Sequence, residues 1–258
     1  MNKHRISDIS TVHYLKFFGR SAMFIICLVF YIIGFSADRL LSIQPAVRFF
    51  AVFVWAVFMI EMLMKYFPLR LESMGCQKQF AANFILVEGA DTERAMKTLR
   101  QYDRGAFWIA VIWILVNGIF AVLYFSGIID QGILLLLSLF YSVSDMICIL
   151  FFCPFQTWFM KNKCCISCRI YTWDYMLMFM PLLFIRSFFT WSLCAVAAGL
   201  LARWEYIYRK HPERFSDETN GSLHCSRCRE KLCAHKKQLR HFHKAAGFAE
   251  TVMKHIHH

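Results

Sequence analysis

The stretch from His224 to His235, "HCSRCREKLCAH", crowds three thiols and two imidazoles into a basic loop. Zinc takes four soft or borderline ligands at tetrahedral corners, and a C-x-x-C turn sets two thiolates on one side of a tight loop. Cys225 and Cys228 make such a turn. Cys233 with His224 or His235 completes a local Cys3His set, and Arg227, Arg229 and Lys231 favour the thiolate form. A second C-x-x-C, Cys165 to Cys168, precedes the last apolar segment. If both turns face one compartment, four thiolates can share one ion, which then pins a polar tail with too little apolar surface to fold alone.

Two other chemistries fit the same thiols. An iron–sulfur cluster also takes openly spaced thiolates, and Cys153–Pro154 matches one element of ferredoxin-type ligation. A dithiol in "KNKCCISCR", beside an aromatic run, fits thiol–disulfide exchange with a partner or a quinone. Cys27, Cys148 and Cys194 sit in apolar runs and read as small hydrophobes.

A second group of candidates lies inside the apolar runs themselves: Glu61, Asn117, Asp145 and Arg186. A charge near the bilayer centre costs on the order of 3 kcal/mol unless it is paired or hydrated. Asp145 is therefore expected to pair with Arg186, with Asn117 hydrogen-bonding nearby. Such a pair fixes helix register or, with Glu61 as a further acidic stop, lines a path for an ion or small solute. Trp173–Asp174 and Arg203–Trp204–Glu205 read as interfacial anchors.

The elements that must hold these residues follow from the apolar runs. At 258 residues, 58% hydrophobic and 17% aromatic, the chain reads as an all-α polytopic membrane bundle whose main partner is the lipid bilayer. Four clear spans are expected at 21–37, 46–64, 105–129 and 131–160. A fifth apolar segment, 175–202, is interrupted by Pro181 and Arg186 and is either a single pass or re-entrant. Two complete passes need about 20 residues each, more than this segment has. Residues 1–20 form a basic leader, and 65–104 a charged connector with a helix capped by Asp91. The tail, 203–258, carries an apolar stripe through Leu239, Phe242, Ala246, Ala249, Met253 and Ile256. That stripe is expected to lie on lipid headgroups, with pairing to a second copy or a membrane partner protein as the other outcome.

The formal charge of +12 lies almost wholly outside the apolar runs. No basic stripe interleaved with aromatics is present, so no nucleic-acid partner is expected. Basic loops stay inside, which predicts a multi-pass plasma-membrane protein with its amino terminus, connector and, given a re-entrant segment, its tail in the cytoplasm. The resulting expectation is an integral membrane protein with a cytoplasmic cysteine/histidine zinc site, acting as a scaffold or sensor. A redox protein and a small transporter using Asp145 and Arg186 are the alternatives. No substrate or reaction follows from the residues.

Overall fold

The computed structural model describes residues 8–34, 40–68, 75–162 and 168–228, with side chains described for 11–33, 48–68, 77–162 and 168–228. Cys165, Cys233, His235, the leader before residue 8 and the stripe from Leu239 to Ile256 lie outside the described residues. The described residues are 81% helical and hold no strand beyond an isolated antiparallel bridge between Leu86 and Asn220.

Seven α-helices organise the described residues: α1 (Asp8–Gly34), α2 (Leu40–Met64), α3 (Gly75–Gln79), α4 (Thr92–Phe125), α5 (Gln131–Leu150), α6 (Asp174–Phe179) and α7 (Phe188–Lys210). The connector helix and the span beyond it are one element, because nothing between Thr92 and Phe125 interrupts the backbone ladder. Asp91 starts α4 by accepting the Arg94 amide at 3.0 Å. Gly105 on α4 admits a close neighbour: an added Cβ would meet the Phe159 carbonyl oxygen at 2.9 Å. Gly127, with φ of 76°, turns the chain after α4, and Asp130 caps α5 by accepting the Ile133 amide at 2.9 Å. The expected run 131–160 is shorter as a continuous helix. α5 stops at Leu150, just before Pro154, which brings no amide hydrogen, and a π-helical turn at Phe155–Met160 follows.

Three helices among the described residues are long and apolar enough to cross a membrane: Thr11–Ile33, Thr92–Phe125 and Gln131–Leu150. That is fewer than the four clear spans expected. The difference lies at α2, whose side chains are described only from Arg48 onward, a stretch that also carries Glu61. Apolar side chains face outward on the long helices, including Leu15, Phe18 and Ile25 on α1 and Ile114, Leu115 and Ile119 on α4. Arg20, Asn117 and Ser142 face inward. An apolar exterior with the polar groups of the spans turned inward is the arrangement that lipid as solvent favours.

The last apolar segment is a broken hairpin. Residues 169–173 form a 3-10 turn, α6 follows, and a second 3-10 turn at Met180–Phe184 leads to extended backbone at Ile185 and Ser187 before α7 returns. Its inward leg runs beside α4. Arg169 bonds Asp103, Trp113 donates to the Leu177 carbonyl, and Phe184 meets Phe125 with ring centroids 6.1 Å apart. Because 3-10 turns rise about 2 Å per residue, residues 169–184 extend about 29 Å, close to a hydrocarbon thickness of about 30 Å. The leg reaches further than an α-helix starting at 175 because it starts at 169 and is partly 3-10.

Breaking the helix frees carbonyls, and three side chains take them up. Pro181 brings no amide hydrogen to the carbonyl four residues back, Leu177, and the Trp113 indole donates there instead at 3.0 Å. The Ser138 hydroxyl donates to the Met178 carbonyl at 2.9 Å, and the Cys194 thiol to that of Phe179 at 3.5 Å. The segment thereby becomes the centre of the core, with Tyr175, Met178, Phe179 and Leu182 all buried against Phe58, Met62 and Leu134.

Candidate functional site: a buried ionic cluster and its cavity

Charges from four elements meet inside the bundle. Arg20 of α1, only 4% exposed, sends Nη2 to Glu61 Oε2 of α2 at 2.8 Å and Nη1 to Asp145 Oδ2 of α5 at 3.2 Å. Its Nη1 also donates to the Ser142 carbonyl at 3.2 Å. Lys16, one turn earlier, stands 3.7 Å from Glu61 Oε1, and the Tyr175 hydroxyl donates to Glu61 Oε2 at 3.1 Å. Beside this group Lys65 pairs with Asp174 Oδ2, and the Lys65 ammonium lies over the rings of Tyr175 and Tyr171, at 4.4 and 5.4 Å. Three cations and three carboxylates thus balance within a low-dielectric interior, where each unpaired member would cost several kcal/mol.

The cation facing Asp145 is Arg20, not Arg186. Arg186 is exposed at the tip of the hairpin, in the turn before α7. The choice of Arg186 rested on its place within an apolar run, but the run folds back there and carries the residue to the far end of the bundle. Asn117 is buried and donates to the Trp113 carbonyl of its own helix at 2.8 Å. The roles of Arg20, Lys65, Asp174 and Tyr175 in this cluster escaped sequence reasoning. Arg20 stands one helical turn after Lys16 within an otherwise apolar helix, and that repeat was the available signal.

A cavity of about 100 Å³ opens beside the cluster. Trp113, Tyr141, Phe155 and Tyr171 supply aromatic walls, and Asp145 and Asp174 supply carboxylates. Cys148, Cys153 and Cys168 also line it. The Cys153 sulfur accepts the Gln156 amide at 3.4 Å. Asp174 Oδ1 is buried and has no hydrogen-bond partner, while its side chain is 10% exposed.

A second ionic group ties the mouth of the hairpin. Arg169 grips Glu205 through both terminal nitrogens at 2.7 Å and Asp103 through Nε at 3.0 Å. Trp173 Nε1 donates to Glu205 at 2.6 Å, and the guanidinium stacks 3.7 Å from the Tyr208 ring centre. Burial works against ionisation of Glu205, yet the Arg169 bonds outweigh it and hold the carboxyl below its ordinary value. Asp174 and Glu205, read as interfacial anchors, are therefore both partners of specific cations. The bridge sets the start of the inward leg beside the end of α7, so both ends of the hairpin lie at one end of the bundle.

The tail docks at that same end through Asn220 and Phe215. Fully buried Asn220 donates through Nδ2 to the carbonyls of Lys78 and Arg214, and its Oδ1 accepts from Ser222. Phe215 packs edge-on against Tyr208 and Trp204. His224 Nε2 bonds the Asp217 carbonyl at 2.6 Å, which fixes the tautomer and leaves Nδ1 as the free ring nitrogen. Cys225 is exposed at the start of a 3-10 turn. Among the described residues no three His, Cys, Asp or Glu side chains converge to hold a metal. Cys168 belongs to a buried cluster with Ala106, Ile109 and Met160.

Comparison with protein-family models, with curated proteins and with solved structures finds no match to this chain.

Proposed function

We propose that this protein is a polytopic membrane protein that handles a small solute, as a transporter or sensor, at the cavity beside Asp145 and Asp174. The observation that carries this reading is an aromatic-walled cavity against two largely buried carboxylates, Asp145 and Asp174, 22% and 10% exposed, at a broken hairpin. Discontinuous helices near buried charges are where membrane transporters build their sites. In this arrangement α1, α2, α4 and α5 are the four spans, and the hairpin enters and leaves on one side. The amino terminus, the connector, the 151–168 loop and the tail share that side. The opposite end carries few basic residues, Arg48 and Arg186 among the described ones, so the positive-inside rule puts the shared side in the cytoplasm of a plasma membrane.

The reading requires access to the cavity from the basic end. In a variant keeping Cys153 as its sole cysteine, a small charged thiosulfonate reagent applied to inside-out vesicles modifies Cys153, and the same reagent applied to right-side-out vesicles does not. Modification from neither side removes the solute-handling reading.

A second reading, a zinc-stabilised scaffold or sensor, draws on His224. A histidine whose Nε2 hydrogen is held by a carbonyl presents Nδ1 to a metal, and Cys225, Cys228 and Cys233 are its nearest candidate co-ligands in sequence. Metal analysis of the full chain against Cys225→Ser and Cys165→Ser tests it. Stoichiometric zinc lost in both variants indicates one shared ion, and zinc lost only in Cys225→Ser a local one. A chain free of zinc ends that reading.

A further inference from the structure

We infer that the cavity beside Asp145 and Asp174 is a binding site for a compact organic ammonium cation. The inference rests on the solute-handling reading and narrows it to one chemical class.

Electrostatics come first. The six charges of the cluster balance overall, but they are not evenly placed around the cavity. Asp145 and Asp174 line it, while Arg20 and Lys65 do not. Each aspartate therefore spends one oxygen on a cation behind it, Arg20 for Asp145 Oδ2 and Lys65 for Asp174 Oδ2. Asp174 Oδ1 is left buried without a partner. A buried carboxylate oxygen with no donor is costly, and a cationic or N–H group in the adjoining cavity relieves that cost. The two carboxylates also repel each other across this space, which a cation between them offsets.

The walls decide the type of cation. A small inorganic ion takes six or more oxygen ligands for calcium or magnesium, or four converging ligands for zinc. Two carboxylates among aromatic rings and thiols match neither set, and among the described residues no group of three His, Cys, Asp or Glu gathers there. Aromatic faces attract alkylated ammonium groups, whose charge is spread over a weakly hydrated surface. Trp113 and Tyr141 pack with ring centroids 4.7 Å apart, and Phe155 stands edge-on to Trp113 at 5.9 Å, making a continuous aromatic wall. The same neighbourhood already holds one ammonium: that of Lys65, over Tyr175 and Tyr171 and against Asp174. A ligand ammonium would repeat that geometry on the opposite side of Asp174.

Size restricts the ligand further. A cavity of about 100 Å³ is smaller than the roughly 150 Å³ that takes up benzene in an apolar core, so it seats a methylated ammonium head and leaves the rest of the ligand at its mouth.

The test uses the full chain in lipid nanodiscs and isothermal titration with choline chloride, with sodium chloride at matched ionic strength as the blank. Dimethylbutanol, the uncharged isostere of choline, is the second probe. The expected result is saturable choline binding at least tenfold tighter than binding of the isostere. Tyr141→Leu should weaken choline about three- to thirtyfold, and Tyr141→Phe should restore it, as loss and return of one ring face require. Asp174→Asn should abolish choline binding; Tyr141→Leu keeps the Lys65–Asp174 pair, so the test survives if the aspartate variant fails to fold. Equal affinity for choline and its isostere overturns the ammonium assignment and leaves the solute cavity standing. Binding of neither by folded protein overturns the ammonium assignment, while the solute-handling reading stands or falls with access to Cys153. Choline binding untouched by Tyr141→Leu puts the ligand elsewhere and overturns the inference.

Discussion

The two ionic groups use the same chemistry at different depths. The inner one joins Arg20 to Glu61 and Asp145 across three helices, with the guanidinium 4% exposed. The outer one joins Arg169 to Glu205 and Asp103, with Asp103 47% exposed and Glu205 23%. Each arginine satisfies two carboxylates that are far apart in sequence. Glu61 and Asp145 are 16% and 22% exposed, against 23% for Glu205 and 47% for Asp103, so water reaches the outer carboxylates more readily if the arginine is lost. Depth thus turns one motif into an obligatory lock and the other into an adjustable clasp that holds the two legs of the hairpin together.

The sharpest way to break this comparison is Arg20→Met. Removing the guanidinium strands Glu61 and Asp145 together, and leaving one half of a buried pair costs about 3–5 kcal/mol. The variant should unfold at markedly lower denaturant in mild detergent, or fail to accumulate as folded protein. Arg20→Met combined with Glu61→Gln and Asp145→Asn should recover much of the loss, because the stranded charges are gone. An Arg20→Met chain as stable as the parent would show that the inner group is not a lock.

Arg169→Ala should cost less, about 2 kcal/mol, since hydrogen bonds to charged groups contribute about 1.5–3 kcal/mol and water reaches Glu205. Its signature is in pH. Glu205 is held below its ordinary value, so its contribution is complete above the unfolded carboxylate pKa of about 4.3 and is lost as pH falls through the lower folded value. Acid denaturation of the parent should therefore include a step that Arg169→Ala lacks. Identical acid profiles would dissolve the clasp.

How much of this was legible follows from whether the signal was local. The helix start at Asp91 and the break at Pro181 depend on neighbours within four residues and were in plain view; the cap at Asp130 and the stop before Pro154 obey the same local rules, but the unbroken apolar run 131–160 masked them. The need of Asp145 for a cation was equally plain. Its identity was not: Arg20 lies 125 residues away, in a position where a long side chain could equally have reached out to the interface. Asp174 and Glu205 carried the same ambiguity, because a charge near a span end suits both a headgroup and a buried partner. The cysteine turns stay where the sequence left them, since Cys165, Cys233 and His235 lie outside the described residues.

A smaller effect contrasts the bundle with its docked tail. Asn220→Ala removes donors to two carbonyls and an acceptor for Ser222, in a side chain with no exposed surface. Stranding those groups costs about 1–3 kcal/mol locally. Proteolysis or hydrogen exchange over residues 212–228 should rise while the unfolding of the bundle is unchanged. Loss of the bundle along with the tail would mean that the two are one cooperative unit.

The smallest expected effect is also the most specific. Trp113→Phe keeps a ring in place but removes the indole donor from the Leu177 carbonyl, the one that Pro181 leaves without a backbone amide. Side-chain hydrogen bonds between membrane helices average about 0.6 kcal/mol, with a maximum near 1.7, so the single variant should lose an amount in that range. With Pro181→Ala the backbone regains an N–H at position 181, and the same Trp113→Phe change should then cost less. A double-mutant cycle read by denaturant unfolding measures that difference directly. Coupling of the expected sign ties the break in the hairpin to the donor that satisfies it. Strict additivity would mean that Leu177 finds another partner and that the indole is there for its ring alone.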